Sequence, residues 1–422
     1  MLVEFRVENF RSLREEQVLT FERAARNAEG DDRPRLARGH ATELLPVAAV
    51  YGANASGKSN VLRAMAFAQS AVAYSHRVWS PDAGVPQEPF AWGDGPDRPS
   101  TFEFTVVVDG VRHQYGFVCD RERFCEEWLY AWPHGRKQTW FERDGDRFKF
   151  GEHLHGENRV VEDVTRPNSL YLSTAAQHRH PQLTAIYGWF RRVAVQNVNT
   201  WPSRSSHDIS PRQISSVFLA AQQFQLHLWL GEESSPTHQE LLRDLLRAAD
   251  LGITDLKVER DEDGDRGRMR VYLGHRAQGP AETAWLPLDE ESAGTRTLFR
   301  IAPQLVHTLE LGGLLVIDEL EASLHPLLAL QLVRLFNSRS SNPRNAQLLF
   351  STHDTNLLGT MSGSPPLRRD QVWFTEKDEF GGTNLYPLTD YQPRREENLE
   401  RGYLQGRYGA IPFLGELPPL VD

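Results

Sequence analysis

The chain has 422 residues, of which 40% are hydrophobic, 25% charged and 10% aromatic. This composition is typical of globular proteins and excludes collagen-like, coiled-coil and largely disordered chains, and the length predicts two or three structural units. The formal net charge is −10, so any contact with nucleic acid requires a local basic patch.

Two sequence features bear on the location of the protein. The only cysteines, Cys119 and Cys125, lack the spacing of a structural zinc site, and such sparse use of cysteine fits a reducing, cytosolic setting. The first ten residues alternate apolar and charged side chains, and no run approaches 18 consecutive apolar residues. We therefore expect a cytoplasmic protein with neither an export signal nor a membrane-spanning helix.

The first part of the chain predicts a strand, a loop and a helix in succession. Val3, Phe5 and Val7 alternate with charged residues, as in a half-buried strand. Residues 44–52 form a continuous apolar run ending in glycine, which is expected of a strand covered on both faces, and apolar residues at helical spacing begin after Ser59. A strand, a glycine-rich loop and a helix form a phosphate site in this order.

Farther along the chain the pattern changes twice. Two alternating runs joined by Asp109-Gly110 predict a β-hairpin in an antiparallel layer. Leucines at helical spacing over residues 241–246 predict a helix that ends near Gly252, and a charged turn near Asp263-Gly264 predicts another hairpin. The middle of the chain is therefore expected to combine a β layer with a helical lobe.

Residues 52–59, GANASGKS, fit the complete phosphate-loop pattern G-x-x-x-x-G-K-[ST]. Backbone N–H groups of such a loop turn toward phosphate oxygens, Lys58 is expected to reach the β and γ phosphates, and Ser59 is expected to ligate Mg²⁺. A chance match is the alternative, and the flanking strand and helix argue against it. The residues predicted to cradle ATP are Gly52, Asn54, Ala55, Ser56, Gly57, Lys58, Ser59 and Asn60.

A second apolar strand, GGLLVIDE over residues 312–319, ends in two acids. Beside a phosphate loop, Asp318 is expected to hold Mg²⁺ and Glu319 to act as the base that polarises the attacking water. The alternative is a strand that simply meets solvent at an acidic turn. A third apolar strand ends at residues 351–354, STHD, which places His353 where it can hydrogen-bond the γ phosphate.

The segment ESAGTR, residues 291–296, precedes a helical run. A serine at a helix start followed closely by glycine forms an anion cradle distinct from the phosphate loop. Since one ATP does not require two cradles from one subunit, we expect Ser292 and Gly294 to serve the nucleotide of another subunit.

The set GANASGKS, ESAGTRTL, LLVIDELEASLHP and STHD resembles the ABC-type ATPase heads of the SMC and RecF kind. More closely, together with VENFRSL and YLQGRYGAIPF, it resembles the AAA-type ATP-binding proteins of the bacterial abortive-infection and overcoming-lysogenisation-defect group. The resemblance covers roughly residues 1–75 and 285–415. It implies an α/β P-loop NTPase, an ABC-type ATPase head with a mixed sheet, an antiparallel β layer and an inserted helical lobe.

In such heads ATP lies between the phosphate loop of one protomer and the signature serine and glycine of another. The resemblance therefore implies a homodimer or higher assembly, with Glu319 as catalytic base, His353 as γ-phosphate sensor, and Ala322 and Ser323 in a loop at the dimer interface. Two further roles follow by analogy. Gln177 is the preferred candidate for the glutamine that helps hold Mg²⁺, with Gln196 as competitor, and Arg11 approaches the phosphates unless it is a plain surface arginine.

The predicted organisation has five parts. They are the N-terminal half of the ATPase core (1–85), the antiparallel β layer (86–177), the helical lobe with its hairpin (178–285), the C-terminal half of the core (286–390) and a tail (391–422) expected to dock on its own head. The signature segment, residues 292–296, reads SAGTR and not an LSGGQ-like string. This departure disfavours the transporter subclass of ABC-type ATPases.

Relatives in the abortive-infection group often act with a nuclease. The 69 residues after His353 (422 minus 353) leave no room for such a domain, and residues 100–285 lack a paired-acid pattern. The expected function is thus an ATP-hydrolysing switch of a bacterial anti-phage system with ATP and Mg²⁺ as cofactors and a separate effector as partner. The alternatives are an SMC- or RecF-like DNA-binding ATPase and a scaffold that binds nucleotide without hydrolysing it.

Overall fold

A computed structural model describes residues 1–24, 31–198, 240, 243–247, 252–260, 269–277, 283–322, 324–359, 365–394 and 397–412. The described strands form three sheets. The described helices are α1 (Lys58–Tyr74), α2 (Asn158–Asp163), α3 (Tyr171–Gln177), α4 (Leu183–Arg191), α5 (Ala293–Leu311), α6 (Pro326–Asn337) and α7 (Leu399–Leu404). None of the helices in these ranges is both long and apolar enough to cross a membrane.

A six-stranded sheet carries the predicted phosphate loop. Its strands, in spatial order, are β16 (Thr383–Pro387), β15 (Val372–Lys377), β3 (Val47–Gly52), β14 (Gln347–Ser351), β13 (Leu314–Ile317) and β9 (Val193–Gln196). All neighbouring pairs are parallel except β15 and β16. Every residue of β3, β13 and β14 is buried, which explains why these three strands read as continuous apolar runs.

The two faces of this sheet pack into different hydrophobic cores. Along β3, Ala48 and Val50 belong to the core shared with α1 and with the antiparallel sheet, whereas Ala49 and Tyr51 belong to the core shared with α5 and α6. Side chains of a strand alternate between faces, so a single short strand fixes helices on both sides. The sheet is therefore covered on both faces and leaves its strand ends as the place for a ligand.

A seven-stranded antiparallel sheet packs on the α1 side. Its order is β2 (Gln17–Thr20), β1 (Leu2–Glu8), β4 (Ser100–Val108), β5 (Val111–Cys119), β6 (Phe124–Trp132), β7 (Gln138–Asp144) and β8 (Arg147–Phe150). The predicted β4–β5 hairpin is confirmed, with positive φ at both Asp109 (50°) and Gly110 (76°). Two such residues are what a tight two-residue hairpin turn requires.

The third sheet precedes the signature segment. It consists of β10 (Ile253–Arg260), β11 (Met269–Arg276) and β12 (Thr283–Pro287), and its first pair confirms the hairpin predicted around the charged turn, whose residues 261–268 lie outside the described ranges. The helix predicted over 241–246 is described only at residue 240 and residues 243–247. Near the C-terminus, Tyr403 of α7 stacks on Phe374 of β15 with ring centroids 5.4 Å apart, so the described part of the tail docks on its own head as predicted.

The observed strand pairing differs from the five-part organisation predicted from the sequence. Strand β1, placed with the N-terminal half of the core, pairs with β2 and β4 in the antiparallel sheet. Strand β9, placed inside the helical lobe, pairs with β13 at the edge of the core sheet. Both differences arise because hydrogen-bond partners of a strand are set by long-range packing, which local patterns do not encode.

Candidate ATP and magnesium site

The predicted phosphate loop connects β3 to α1. Gly57 is the N-cap of α1 and has φ 110°, a conformation that glycine adopts at no steric cost. A β-carbon at this position would also lie 2.1 Å from Thr383 Oγ1. Backbone conformation and the approach of β16 thus both require glycine here, which places the N-terminal N–H groups of a 17-residue helix at the end of β3.

Lys58 lies buried within the loop. Its Nζ donates to the carbonyl oxygens of Gly52 (2.9 Å) and Ala53 (3.0 Å), and the residue is 6% exposed. Burial lowers the pKa of Lys58 to about 8, an effect that the nearby carboxylates of Asp318 and Glu319 oppose. The side chain is thus a poorly solvated cation that a phosphate anion would stabilise strongly.

The ends of β13 and β14 bring a carboxylate to the first turn of α1. Asp318 Oδ1 accepts hydrogen bonds from Ser59 Oγ (3.0 Å) and Ser351 Oγ (2.5 Å), and Asp318 is 5% exposed. Ser59 and Asp318 offer oxygen ligands, the type of ligand that Mg²⁺ prefers. No group of three or more His, Cys, Asp or Glu side chains in the described ranges could hold a metal by itself, so the pair fits an ion that shares its coordination with nucleotide oxygens.

Glu319 adopts a strained backbone conformation next to this pair. Its φ is 51°, in the left-handed region that is unfavourable for residues other than glycine. The N–H of Glu319 donates to Ser351 Oγ over 2.8 Å, so the hydroxyl that contacts Asp318 also holds the backbone of Glu319. The Glu319 side chain remains exposed, which is the arrangement that a base facing a water molecule needs.

His353 lies on the same edge, two residues past the end of β14. The backbone N–H of His353 donates to Glu321 Oε1 over 2.6 Å. Partial burial, followed by the charge of Lys58, lowers the pKa of His353 below its ordinary value, against the opposing carboxylates of Glu321 and Glu319. The imidazole is therefore neutral at pH 7 and presents one N–H donor and one acceptor.

Ser59, Asp318 and Glu319 border one cleft with a volume of about 330 Å³. The side chains that line it are Ser59, Arg63, Asn197, Thr297, Arg300, Asp318, Glu319 and Ala322. The sequence analysis identified three of the polar residues and Ala322, but not Arg63, Asn197, Thr297 or Arg300. Ser323, predicted beside Ala322, lies outside the described residues.

Other residues of the predicted cradle hold the loop in place. Ser56 Oγ is 2.6 Å from Thr375 Oγ1, and Asn60 Nδ2 donates to Ser12 Oγ over 2.7 Å. Asn54 and Ala55 are exposed at the tip of the loop. Hydrogen bonds of Ser56 and Asn60 therefore hold the loop in place, while its tip is exposed to solvent.

Arg11 is close enough to Arg63, which lines the cleft, to affect its pKa. Its backbone φ is 52° and its guanidinium forms an ion pair with Glu88. The pKa of Arg63, a cleft residue, is lowered by burial and next by the charge of Arg11. Arg11 therefore contributes to a positive potential near the cleft, although its partner in this structure is a carboxylate.

The two glutamines considered for the metal lie near opposite ends of α1. Gln177 Nε2 donates to Tyr187 Oη (3.3 Å), which donates to the carbonyl of Ala73 (3.1 Å) near the C-terminal end of α1. Ala73 is 14 residues from Ser59, about 21 Å along a helix, so the expectation for Gln177 is corrected. Gln196 ends β9 and its carbonyl accepts from the Asp318 N–H over 3.1 Å.

The signature segment begins a different helix, α5. Ser292 is its N-cap, and its Oγ accepts from the Thr295 N–H over 3.1 Å. The preceding Glu291 is buried and its carboxylate is 2.6 Å from His275 Nε2 of β11, which anchors the segment to the third sheet. In the described part of the chain, the residues that line the cleft do not include Ser292 or Gly294.

Comparisons with known proteins agree with this geometry. Residues 47–359, about three quarters of the chain, match the family described as "AAA domain, putative AbiEii toxin, Type IV TA system". The chain belongs to this family. No curated protein matches the sequence.

Solved SMC heads are also similar to the chain. The SMC head domain from Thermotoga maritima has 12% identity and a TM-score of 0.39, covering 92% of this chain and 98% of that chain. The Smc head with an extended coiled coil bound to the C-terminal domain of ScpA, from Pyrococcus furiosus, has 12% identity and a TM-score of 0.42, covering 93% and 97%. The fold assignment, an α/β P-loop ATPase domain, is based on the strand order and the family match.

The family match begins at the first residue of β3 and ends shortly after His353. This AAA family therefore shares the segment from the phosphate loop to the histidine, and membership implies nucleotide binding with a divalent metal. Ser351, which joins Asp318 to Glu319, was not singled out from the sequence. A hydroxyl residue at the last position of a buried apolar strand was the available signal.

Proposed function

We propose that this AAA-family protein is a dimeric switch that binds and hydrolyses ATP. The observation that carries the proposal is the contact between Ser59 Oγ and Asp318 Oδ1, which joins the phosphate loop to the carboxylate strand. The carboxylates of Asp318 and Glu319 act on the pKa values of both Lys58 and His353, which supports a common site for these side chains. A cation, a metal-binding pair, a base and a neutral hydrogen-bond donor at one sheet edge are what phosphoryl transfer to water requires.

Each side chain has a distinct task in the proposed reaction. Lys58 binds the phosphates, and Glu319 accepts a proton from the water whose oxygen forms the new bond to the γ phosphorus as the bond to the ADP oxygen breaks. His353 donates its N–H to the γ phosphate. Ser59 and Asp318 would hold a Mg²⁺ ion, which would neutralise part of the phosphate charge.

We further propose that the site is completed by a second copy of the chain. Ser292 is exposed and caps the 19-residue helix α5, so the N-terminal end of this helix lies at the surface with a positive potential. Ser292 and Gly294 of one protomer would contact the triphosphate held by Lys58 of another. ATP would then close the dimer, and hydrolysis would open it.

The proposed biological role is the ATPase component of an anti-phage or abortive-infection system that acts with a separate effector. The description of the family, which names an abortive-infection toxin, supports this role. The described residues outside the cleft do not contain a second metal-binding cluster of acids or histidines. We therefore place the toxic chemistry on a partner protein.

The variant Glu319→Gln tests the enzymatic part of the proposal. Glutamine keeps the size of the side chain but does not accept the proton, so turnover should fall about a hundredfold or more while ATP affinity is retained. With ATP and Mg²⁺ the variant should accumulate as a dimer in light scattering. Glu122→Gln, the same change on an exposed turn of the antiparallel sheet, is the control, and rapid turnover by Glu319→Gln would remove Glu319 from the mechanism.

Phosphate release measured with and without partners tests the biological part. Duplex DNA, tRNA and a protein encoded beside this chain would be added separately to the wild-type protein. The proposal expects stimulation or effector activation only with the protein partner. Stimulation by duplex DNA that declines steeply with salt would favour a DNA-binding ATPase instead.

A further inference from the structure

Together with the proposed reaction, the order of strands implies a direction for a triphosphate on the phosphate loop. Asp318, Glu319 and His353 follow β13 and β14, which lie on one side of β3. The γ phosphate must face these groups, because the bond that breaks is at the γ phosphorus. The nucleoside therefore extends from the loop toward the opposite side of β3, where β15 and β16 lie.

The β15–β16 hairpin is fixed directly against the loop on that side. Thr383 Oγ1 donates to the carbonyl of Ser56 over 2.9 Å, and the Thr383 N–H donates to the carbonyl of Ser12 over 2.6 Å. The turn itself is held by Asp378, whose Oδ1 accepts from the N–H groups of Phe380 (2.9 Å) and Gly382 (2.7 Å). The hairpin tip is thus a rigid neighbour of the phosphate loop.

Two exposed aromatic side chains lie at this tip, Phe380 in the turn itself and Trp92 against the neighbouring Gly381. Phe380 is 65% exposed and Trp92 is 60% exposed, which makes them the most exposed Phe, Tyr or Trp side chains in the described part of the chain. The Trp92 ring lies against Gly381, with Cζ3 3.4 Å from the position that a β-carbon on Gly381 would take. Behind it, buried Phe90 packs edge-on against Trp92 with ring centroids 5.2 Å apart.

We propose that Trp92 and Phe380 form a shelf on which the purine base of the bound nucleotide stacks. The inference rests on the proposed function, since the phosphates fix where the nucleoside begins. Flat aromatic rings offer their faces to a base without reading its edges, and exposed rings of this size otherwise cost free energy in water. The shelf would therefore select nucleoside triphosphates over bare triphosphate and would favour purines over pyrimidines through their larger stacking area.

Binding of ATP and of inorganic tripolyphosphate to the full chain, measured by calorimetry, tests the shelf. Trp92→Ala and Phe380→Ala should each weaken ATP binding at least about fivefold and leave tripolyphosphate binding unchanged. Trp92→Phe, which keeps an aromatic face, should retain most of the ATP affinity. Tyr74→Ala removes a partly exposed aromatic ring at the far end of α1 and serves as the control, and circular dichroism verifies that each variant folds.

The outcomes separate the shelf from the proposed function. Unchanged ATP affinity in both alanine variants, or an equal loss for ATP and tripolyphosphate, would overturn the shelf and leave the ATPase proposal standing. Equal affinity of the wild-type protein for the two ligands would also overturn it. A wild-type protein that binds neither ligand would overturn the proposed function and the shelf together.

Discussion

Two regions of the proposed site differ in how many of their contacts one chain supplies. They are the edge of the six-stranded sheet that carries Asp318 and the signature segment around Ser292. At the edge, Asp318 and Ser351 are buried and hydrogen-bonded to each other, and Ser59 from another element joins them. In the signature segment, Ser292 is exposed, and the hydrogen bonds of its hydroxyl within the described residues are to Thr295 alone. At the sheet edge, Ser59, Asp318 and Ser351 are already held together by hydrogen bonds without nucleotide. In the signature segment, the N-terminal end of α5 is exposed to solvent.

The difference supports the proposal that a second copy of the chain completes the site. A buried carboxylate with satisfied hydrogen bonds needs only the nucleotide and its metal. An exposed helix N-terminus outside the cleft can bind an anion that another molecule presents. The buried Glu291 and its His275 partner hold that helix end in a fixed orientation, which reduces the conformational entropy lost on binding such an anion.

We expect the largest effect on turnover from the variant Ser292→Asp, which alters the signature segment and leaves the sheet edge unchanged. Aspartate caps helices as well as serine does, so α5 should keep its stability. Its negative charge would repel a partner's triphosphate, and turnover should fall about a hundredfold or more. Phosphate release and thermal unfolding would be measured together, with Ser292→Thr as the control that retains both the cap and the hydroxyl.

A loss of folding stability in Ser292→Asp would assign the serine to helix capping alone. Normal turnover would show that no phosphate approaches this helix end. Either result would remove the functional contrast between the two regions.

His353→Ala should have a smaller effect, about 10- to 100-fold on turnover, because it removes one hydrogen bond to a charged phosphate. Since partial burial and Lys58 lower the pKa of His353, the residue acts as a neutral donor at pH 7. Glutamine also offers a neutral N–H, and His353→Gln should therefore retain more activity than His353→Ala. Equal activity in the two variants would argue that the ring fills space and does not donate to the phosphate.

The smallest effect concerns the pH dependence of ATP binding. Lys58 has a pKa of about 8 without nucleotide, and bound phosphate stabilises its charged form, so the pKa is higher in the complex. ATP affinity should be constant well below pH 8 and fall by up to about tenfold between pH 7 and pH 9, because the complex must take up a proton. Lys58→Arg, always charged, should bind with no such decline, and a flat profile for the wild type would contradict the buried state of Lys58.

The sequence predicted the parts of the site that are local. Residues 52–59 and the acids after β13 are contiguous motifs, and they lie at the ends of the strands that the sequence predicted beside them. The Ser292 cap was equally local, since a helix end is determined by a few neighbouring residues.

The parts that depend on strand pairing could not be predicted in this way. Gln177 and Gln196 were both candidates, and nothing in either segment shows that β9 pairs with β13, the contact that brings Gln196 and Asn197 to Asp318. Arg300 reaches the cleft because α5 packs against this sheet edge. Such placements arise from tertiary packing, which single-sequence patterns do not report.

The composite site is the central claim, and mixing two inactive variants tests it most directly. Lys58→Ala and Ser292→Asp would be purified separately, combined in equal amounts, allowed to exchange subunits and assayed for phosphate release. A mixed dimer contains one site with intact Lys58 from one protomer and intact Ser292 from the other, so activity should return to about one quarter of wild type if dimers form at random. A mixture that stays as inactive as its components, although subunit exchange is demonstrated, would contradict the claim that two copies share each nucleotide.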